Sequence, residues 1–164
     1  YIGAQQESQH AEFRAVARDT PVRKAMMTRF GVLPPDATLG DAVDELLAGT
    51  DHDFPIVDEG RVIGMLSRQQ LIEALRKHGR DYPVRDVADA KCTSLPVDAM
   101  LDEAFRQMQQ SDCSTVPVVD NGELVGLLTL ENVGELIMVT SALQVRDAEE
   151  IDRDPAPTTP TPRT

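Results

Sequence analysis

The feature that most constrains this chain is an internal repeat. Shifted by 62 positions with no gap, Phe54-Pro55-Ile56-Val57-Asp58-Glu59-Gly60 falls on Val116-Pro117-Val118-Val119-Asp120-Asn121-Gly122. The same register pairs Pro21-Val22-Arg23 with Pro83-Val84-Arg85, Leu33-Pro34 with Leu95-Pro96, Gly64 with Gly126 and Glu73 with Glu135. A register held over that distance means that each half is one copy of a single supersecondary unit. Each copy reads as a short apolar strand, a tight turn at Glu59-Gly60 or Asn121-Gly122, a second apolar strand and a hydroxyl residue, Ser67 or Thr129, that opens a helix.

Upstream of each hairpin lies a further helix signal. Thr38-Leu39-Gly40-Asp41 has the form of a capping box, and Leu39, Ala42, Val43, Leu46 and Leu47 make one apolar face that asks to be buried. In the second copy the face is Leu101, Ala104, Phe105 and Met108, with Met100 in place of the capping threonine. Leu71, Ile72 and Leu75, and then Val133, Leu136 and Ile137, give the last helix of each copy its core stripe. The segments 22–27 and 31–33 are expected to be one or two helical turns and a short strand. The strands are nearly continuous apolar runs, the mark of strands covered on both faces. Units of about sixty residues are marginal alone, so the two are expected to share one core.

The order of these elements, with an hPVVD-like strand in both copies, resembles a tandem pair of cystathionine-β-synthase-type (CBS) domains over roughly residues 21–139. The resemblance implies an α/β (α+β) fold of two βαββα repeats related by a pseudo-two-fold axis, with an N-terminal helix added. The expected organisation is a linker helix over 1–20, repeats over 21–80 and 81–139, and an acidic, Pro/Thr-rich disordered tail over 140–164. Residues 1–20 carry only a narrow apolar stripe, Phe13, Val16 and Ala17, able either to pack on the repeats or to continue from a preceding domain.

Charge and composition exclude several functions. The net charge of −12 and pI near 4.5 oppose general attraction to nucleic acid or anionic lipid, and an aromatic content of 4% leaves little for stacking on bases. The imbalance is uneven, because residues 21–78 hold seven Lys/Arg against nine Asp/Glu, whereas 83–139 hold three against ten. No apolar run approaches the roughly 20 residues of a membrane span. Cys92 and Cys113, with no signal sequence in view, are expected to be reduced thiols in a cytoplasmic setting rather than a disulfide. His10, His52 and His78 are scattered, and no zinc-ligand spacing can be assembled from them. No nucleophile elbow, His-Glu-x-x-His or Gly-rich phosphate loop is present, which points away from an enzyme.

The CBS resemblance implies an adenosine ligand, such as AMP, ADP, ATP or S-adenosylmethionine, in the cleft between repeats, with no obligatory cofactor. Phosphates would meet Ser67 and Thr129, where helix N-termini offer free N–H groups and a favourable dipole end; the same residues are also ordinary N-caps. The family places an Asp three positions on for the ribose. Here Gln70 and Asn132 stand there, and an amide lacks the charge-assisted acceptance of a carboxylate. Arg68 is a further phosphate contact or a solvated charge. Phe54, Pro55, Val116 and Pro117, with Val32 and Ser94, would wall an adenine or serve as core.

The resemblance also implies a homodimer. The opening Tyr1-Ile2-Gly3-Ala4-Gln5-Gln6-Glu7, a helix and then a CBS pair resembles the cytoplasmic end of bacterial site-2-protease-type intramembrane zinc metalloproteases. The start at Tyr1 suggests an excerpt of such a longer protein, and none of the family's zinc ligands lies in this stretch. Two roles remain open: a module that senses an adenosine-type ligand and modulates an attached domain, or a ligand-free dimerisation scaffold.

Overall fold

A computed structural model describes residues 11 and 13–153 of the chain. In chain order come helix α1 (residues 13–19), a 3-10 turn at Val22–Lys24, α2 (Leu39–Ala48), β1 (Asp53–Asp58), β2 (Arg61–Ser67) and α3 (Arg68–His78). The second copy supplies a 3-10 turn at Val84–Asp86, β3 (Leu95–Pro96), α4 (Leu101–Ser111), β4 (Thr115–Asp120), β5 (Glu123–Thr129) and α5 (Leu130–Arg153).

The hairpins form where the repeat put them. Glu59 and Gly60 have φ of 47° and 80°, and Asn121 and Gly122 have 50° and 84°, so both turns use two left-handed residues. Such turns follow the right-handed twist of the strands that they join. Each hairpin also carries a bulge at the equivalent place: pairing steps from Ile56↔Gly64 to Val57↔Val62 past Ile63, and from Val118↔Gly126 to Val119↔Leu124 past Val125. The leading strand of repeat two, β3, pairs in parallel with β4 through Leu95↔Val118. In repeat one the strand expected at 31–33 is reduced to a single parallel bridge, Leu33↔Ile56.

The two copies are tied together by exchange. The segment that leads into repeat one pairs with the hairpin of repeat two (Met27↔Leu127), and the segment that leads into repeat two pairs with the hairpin of repeat one (Met65↔Asp89). The same reciprocity runs through the backbone: Val22 N–H donates to the Ala99 carbonyl at 2.8 Å and Val84 N–H to the Ala37 carbonyl at 2.9 Å. Leu101 N–H donates to the Thr20 carbonyl at 2.9 Å, and Leu39 N–H to the Tyr82 carbonyl at 2.8 Å. Residue i meets j and its counterpart returns the contact, as across a two-fold interface.

This exchange makes the interior a joint product of both copies, as expected. The interior is two clusters: one joins Ala17, Val22 and Ala25 to Leu95, Leu101, Val116, Val118 and Leu128, and the other joins Val84 to Leu33, Leu39, Phe54, Ile56, Leu66 and Leu71. Each cluster is completed by the other copy's leading segment, so neither hairpin has a closed interior without its partner. Helix α1 belongs to the first cluster, with Ala17 buried and Phe13 edge-on to Phe105 at 5.3 Å. That docks the described part of the expected linker helix; residues 1–10 lie outside the described region, as does 154–164 of the expected tail. The rest of that tail is corrected, because α5 continues past Val139 to Arg153 with no proline or glycine after Gly134 to stop it.

Two apolar positions also depart from expectation. Leu47 is 79% exposed and Ile72 47% exposed. Each lies roughly 80–100° around its helix from the fully buried Leu39 or Leu71, at the edge of the stripe rather than on it. The caps behave as read. Thr38 Oγ1 accepts from Asp41 N–H while the Asp41 carboxylate accepts from Thr38 N–H at 2.8 Å, and Ser67 and Gln70 form the same reciprocal pair. The backbone hydrogen bond from Thr38, with its hydroxyl adding to it, holds the Asp41 carboxyl below its ordinary value. The ionised cap therefore supports the fold at neutral pH, and that support fades as pH falls through the lowered value.

Helix α4 has no such cap, since Met100 offers no acceptor and its side chain stands partly in solvent. Met100→Thr should stabilise the fold by about 1 kcal/mol in urea denaturation. The opposite result is expected at the exchange points. A Cβ on Gly64 would lie 2.9 Å from the Ala88 Cβ, and one on Gly126 3.0 Å from the Met27 carbonyl oxygen. Gly64→Ala and Gly126→Ala should each cost about 1–3 kcal/mol on the same measurement, because the crossing segments must be pushed off their bridges.

Candidate functional site

The seam between the copies opens into a cleft of about 860 Å³, lined almost symmetrically by equivalent residues. Met27 and Asp89, Thr50 and Asp112, His52 and Ser114, Asp53 and Thr115, and the first turns of α3 and α5 all face it. The antiparallel register of each hairpin brings this about: Asp53 pairs with Ser67 and Thr115 with Thr129, so that strand entry and final-helix start lie at one end of each hairpin. There, Asp53 of repeat one and Thr115 of repeat two, the same position in the two copies, touch directly. The Asp53 carboxylate accepts from the Thr115 hydroxyl and, at 3.0 Å, from the Ser114 hydroxyl.

Of the residues singled out from sequence, Ser67, Arg68, Gln70, Thr129 and Asn132 come together in this cleft. Their polar atoms are partly spent on capping. Gln70 Oε1 accepts from Ser67 N–H at 2.9 Å, and Asn132 Oδ1 accepts from the Thr129 hydroxyl at 2.7 Å. The amide oxygens at the positions where the family has an acid thus turn back on their own helices, leaving the amide N–H groups as what these side chains can still offer.

The other six do not line the cleft. Phe54 and Val116 are fully buried in the two clusters, and Pro55 and Pro117 are buried beside them. Val32 and Ser94 precede the leading bridge and strand outside the lining. Phe54 and Val116, the second residues of β1 and β4, are core packing instead, Phe54 clustered with Leu39, Leu71 and Val84 and Val116 with Val22, Leu101 and Val133.

Sequence reasoning missed most of the acidic lining. Asp51, Asp53, Glu73, Asp89, Asp112 and Glu131 border the cleft, against Arg68 as the one Lys or Arg among the described lining residues. The repeat register held the signal, since it maps the sites 50–53 onto 112–115, but an acidic residue in a loop looks like solvated surface until the loops converge.

The cysteines need a correction. Cys92 and Cys113 form a disulfide with a Cα separation of 5.9 Å, and both border the cleft. Separated by 21 residues, they gave no local signal. The parallel pairing of β3 with β4 brings the segments that enter those strands side by side, and Cys92 and Cys113 sit on those two segments. Among the described residues no cluster of three His, Cys, Asp or Glu side chains suits a metal ion, and no helix is long and apolar enough to cross a membrane.

Known proteins share this architecture. The CBS domain pair of protein MJ0100, solved in complex with 5′-methylthioadenosine and S-adenosyl-L-methionine, superposes with a TM-score of 0.66 at 22% identity over 74% of this chain and 98% of that one. The CBS domain of a bacterial CNNM/CorC family Mg2+ transporter gives 0.69 at 22% identity, covering 81% of this chain and 83% of the other. In sequence, a CBS domain-containing protein of Bacillus subtilis, YhcV, is 27% identical over 111 residues, 66% of this chain and 79% of its own length. A zinc metalloprotease of Methanocaldococcus jannaschii is 24% identical over 133 residues, 81% of this chain but only 37% of the protease. The CBS domain family pattern matches residues 15–77 and again 84–139, covering both exchanged copies. The chain therefore belongs to the CBS domain family and is a tandem CBS pair, a regulatory module.

Proposed function

We propose that the cleft takes an adenosyl compound whose 5′ substituent is neutral or cationic, and that its occupancy reports to a domain attached to this module. The observation that carries the reading is the charge of the lining. Ser67 and Thr129 open two helices toward one ligand-sized space, but six carboxylates and a single arginine share its rim. Helix starts draw an anion, yet their pull acts within the first turn, whereas the carboxylates act together on whatever enters the cleft. A triphosphate is disfavoured there and a sulfonium or thioether is not. The complex of the MJ0100 pair with 5′-methylthioadenosine and S-adenosyl-L-methionine supports the same class. Similarity to the archaeal zinc metalloprotease, of which this region corresponds to about a third, supports a membrane protease as the attached domain and a cytoplasmic position for the pair.

A ligand distinguishes two arrangements only if it binds them unequally, and the cleft is suited to that because both copies contribute to it. Filling it would bear on the Asp53–Thr115 contact at the axis.

A second reading is favoured by α5. Beyond the body of the fold it exposes Met138, Val139, Leu143, Val145 and Ile151, apolar side chains set around the helix with no cover among the described residues. On this reading the pair is a dimerising scaffold, and capping occupies the Gln70 and Asn132 amide oxygens at the positions where the family meets a ribose.

Calorimetric titration with AMP, ADP, ATP, S-adenosylmethionine and 5′-methylthioadenosine separates the two. The sensing reading expects the last two to bind at least tenfold more tightly than ATP, and Asp89→Asn with Glu131→Gln to narrow that gap. No heat with any of the five at millimolar ligand, together with a dimer in sedimentation that Leu143→Glu dissociates, would decide for the scaffold.

A further inference from the structure

We propose that Cys92–Cys113 is a reversible thiol–disulfide site that latches the second-repeat wall of the cleft, so that a dithiol reductant changes the shape of the cleft by acting at one named bond. The repeat supplies the argument. Cys113 occupies the position of Asp51, and Cys92 that of Phe30. In repeat one the same junction, between the leading loop and the segment entering the hairpin, is closed by Gly31 N–H donating to Asp51 Oδ2 at 2.7 Å. In repeat two it is closed by the disulfide. The fold ties this corner twice, once by a hydrogen bond that is indifferent to redox conditions and once by a bond that is not.

The bond is reachable. Cys113 is 8% exposed, but Cys92 is only half-buried and borders the open cleft. A thiolate of the dithiol attacks Cys92 Sγ, forming a mixed disulfide and releasing Cys113 as thiolate. The second thiol of the reductant then displaces Cys92, closing the reductant's own disulfide. Two electrons and two protons pass to the protein, and the dithiol is oxidised by the same count.

Release acts on a short stretch. Asp89 stays bridged to Met65 and the Thr93 carbonyl still accepts from the Gln107 side chain, so freedom is gained chiefly by residues 90–94 and by 112–115. Those residues include Asp112, Ser114 and Thr115 of the cleft wall. The consequence concerns the protein's own geometry and stands independently of which compound enters the cleft.

The test uses the whole chain with dithiothreitol as the dithiol. Intact-mass analysis after iodoacetamide should show no label on the air-equilibrated protein and two labels after reduction. Hydrogen exchange of reduced protein should accelerate about tenfold or more at 90–94 and 112–115 while 31–33 remains unchanged. Tm should fall by roughly 5–10 °C, as expected for opening a loop of this length. The Cys92→Ser, Cys113→Ser double variant should match the reduced form and ignore the reductant. Two labels without reductant, or exchange at 90–94 that is the same in both states once mass confirms reduction, would overturn the proposal.

Discussion

The fold depends on a reciprocal exchange between its halves. Met27 bridges Leu127 while Asp89 bridges Met65, and at both crossings the strand yields space through a glycine, Gly126 or Gly64, set beside the incoming segment. A sixty-residue unit buries too little surface to stand alone. Here each hairpin and its helices gain the missing wall from the leading segment of the other copy, and α1 extends the wall of the second. Unfolding one copy therefore opens the other, and cooperative behaviour as one unit follows from the connectivity.

The cleft is a by-product of the same exchange. Because the crossing segments pack against the hairpins, the strand entries and the starts of α3 and α5 are forced to face each other across the axis. Equivalent residues then line one cleft, and Asp53 touches Thr115. What equivalent positions carry differs between copies: Thr50 corresponds to Asp112, Met27 to Asp89, and Asp51 to the disulfide-bonded Cys113. A symmetric frame thus carries an asymmetric lining, in which acidic side chains and the disulfide are unequally shared between the copies.

Helix α5 extends this logic outward. Its first turns are held by Val133, Leu136 and Ile137 against the first core cluster, and the remainder carries apolar side chains away from the body. Thr129 and Asn132 stand at the root of this helix, so that the end bordering the cleft and the exposed end belong to one continuous helix.

Much of this was legible in the chain. The offset of 62 residues, the two left-handed turns, the caps at Thr38 and Ser67 and the order of elements are all local or periodic, and local chemistry decides them. The resemblance to CBS pairs singled out Ser67, Arg68, Gln70, Thr129 and Asn132, and these five line the cleft. Tertiary structure alone decided which copy completes which core, that Phe54 and Val116 point inward rather than into the cleft, that six carboxylates converge, and that Cys92 meets Cys113. The physical reason is that each depends on segments apart in sequence meeting in space, the cores and the carboxylates through the exchanged segments and the cysteines through the β3–β4 pairing, and spacing along a chain carries no record of which partner a segment will choose.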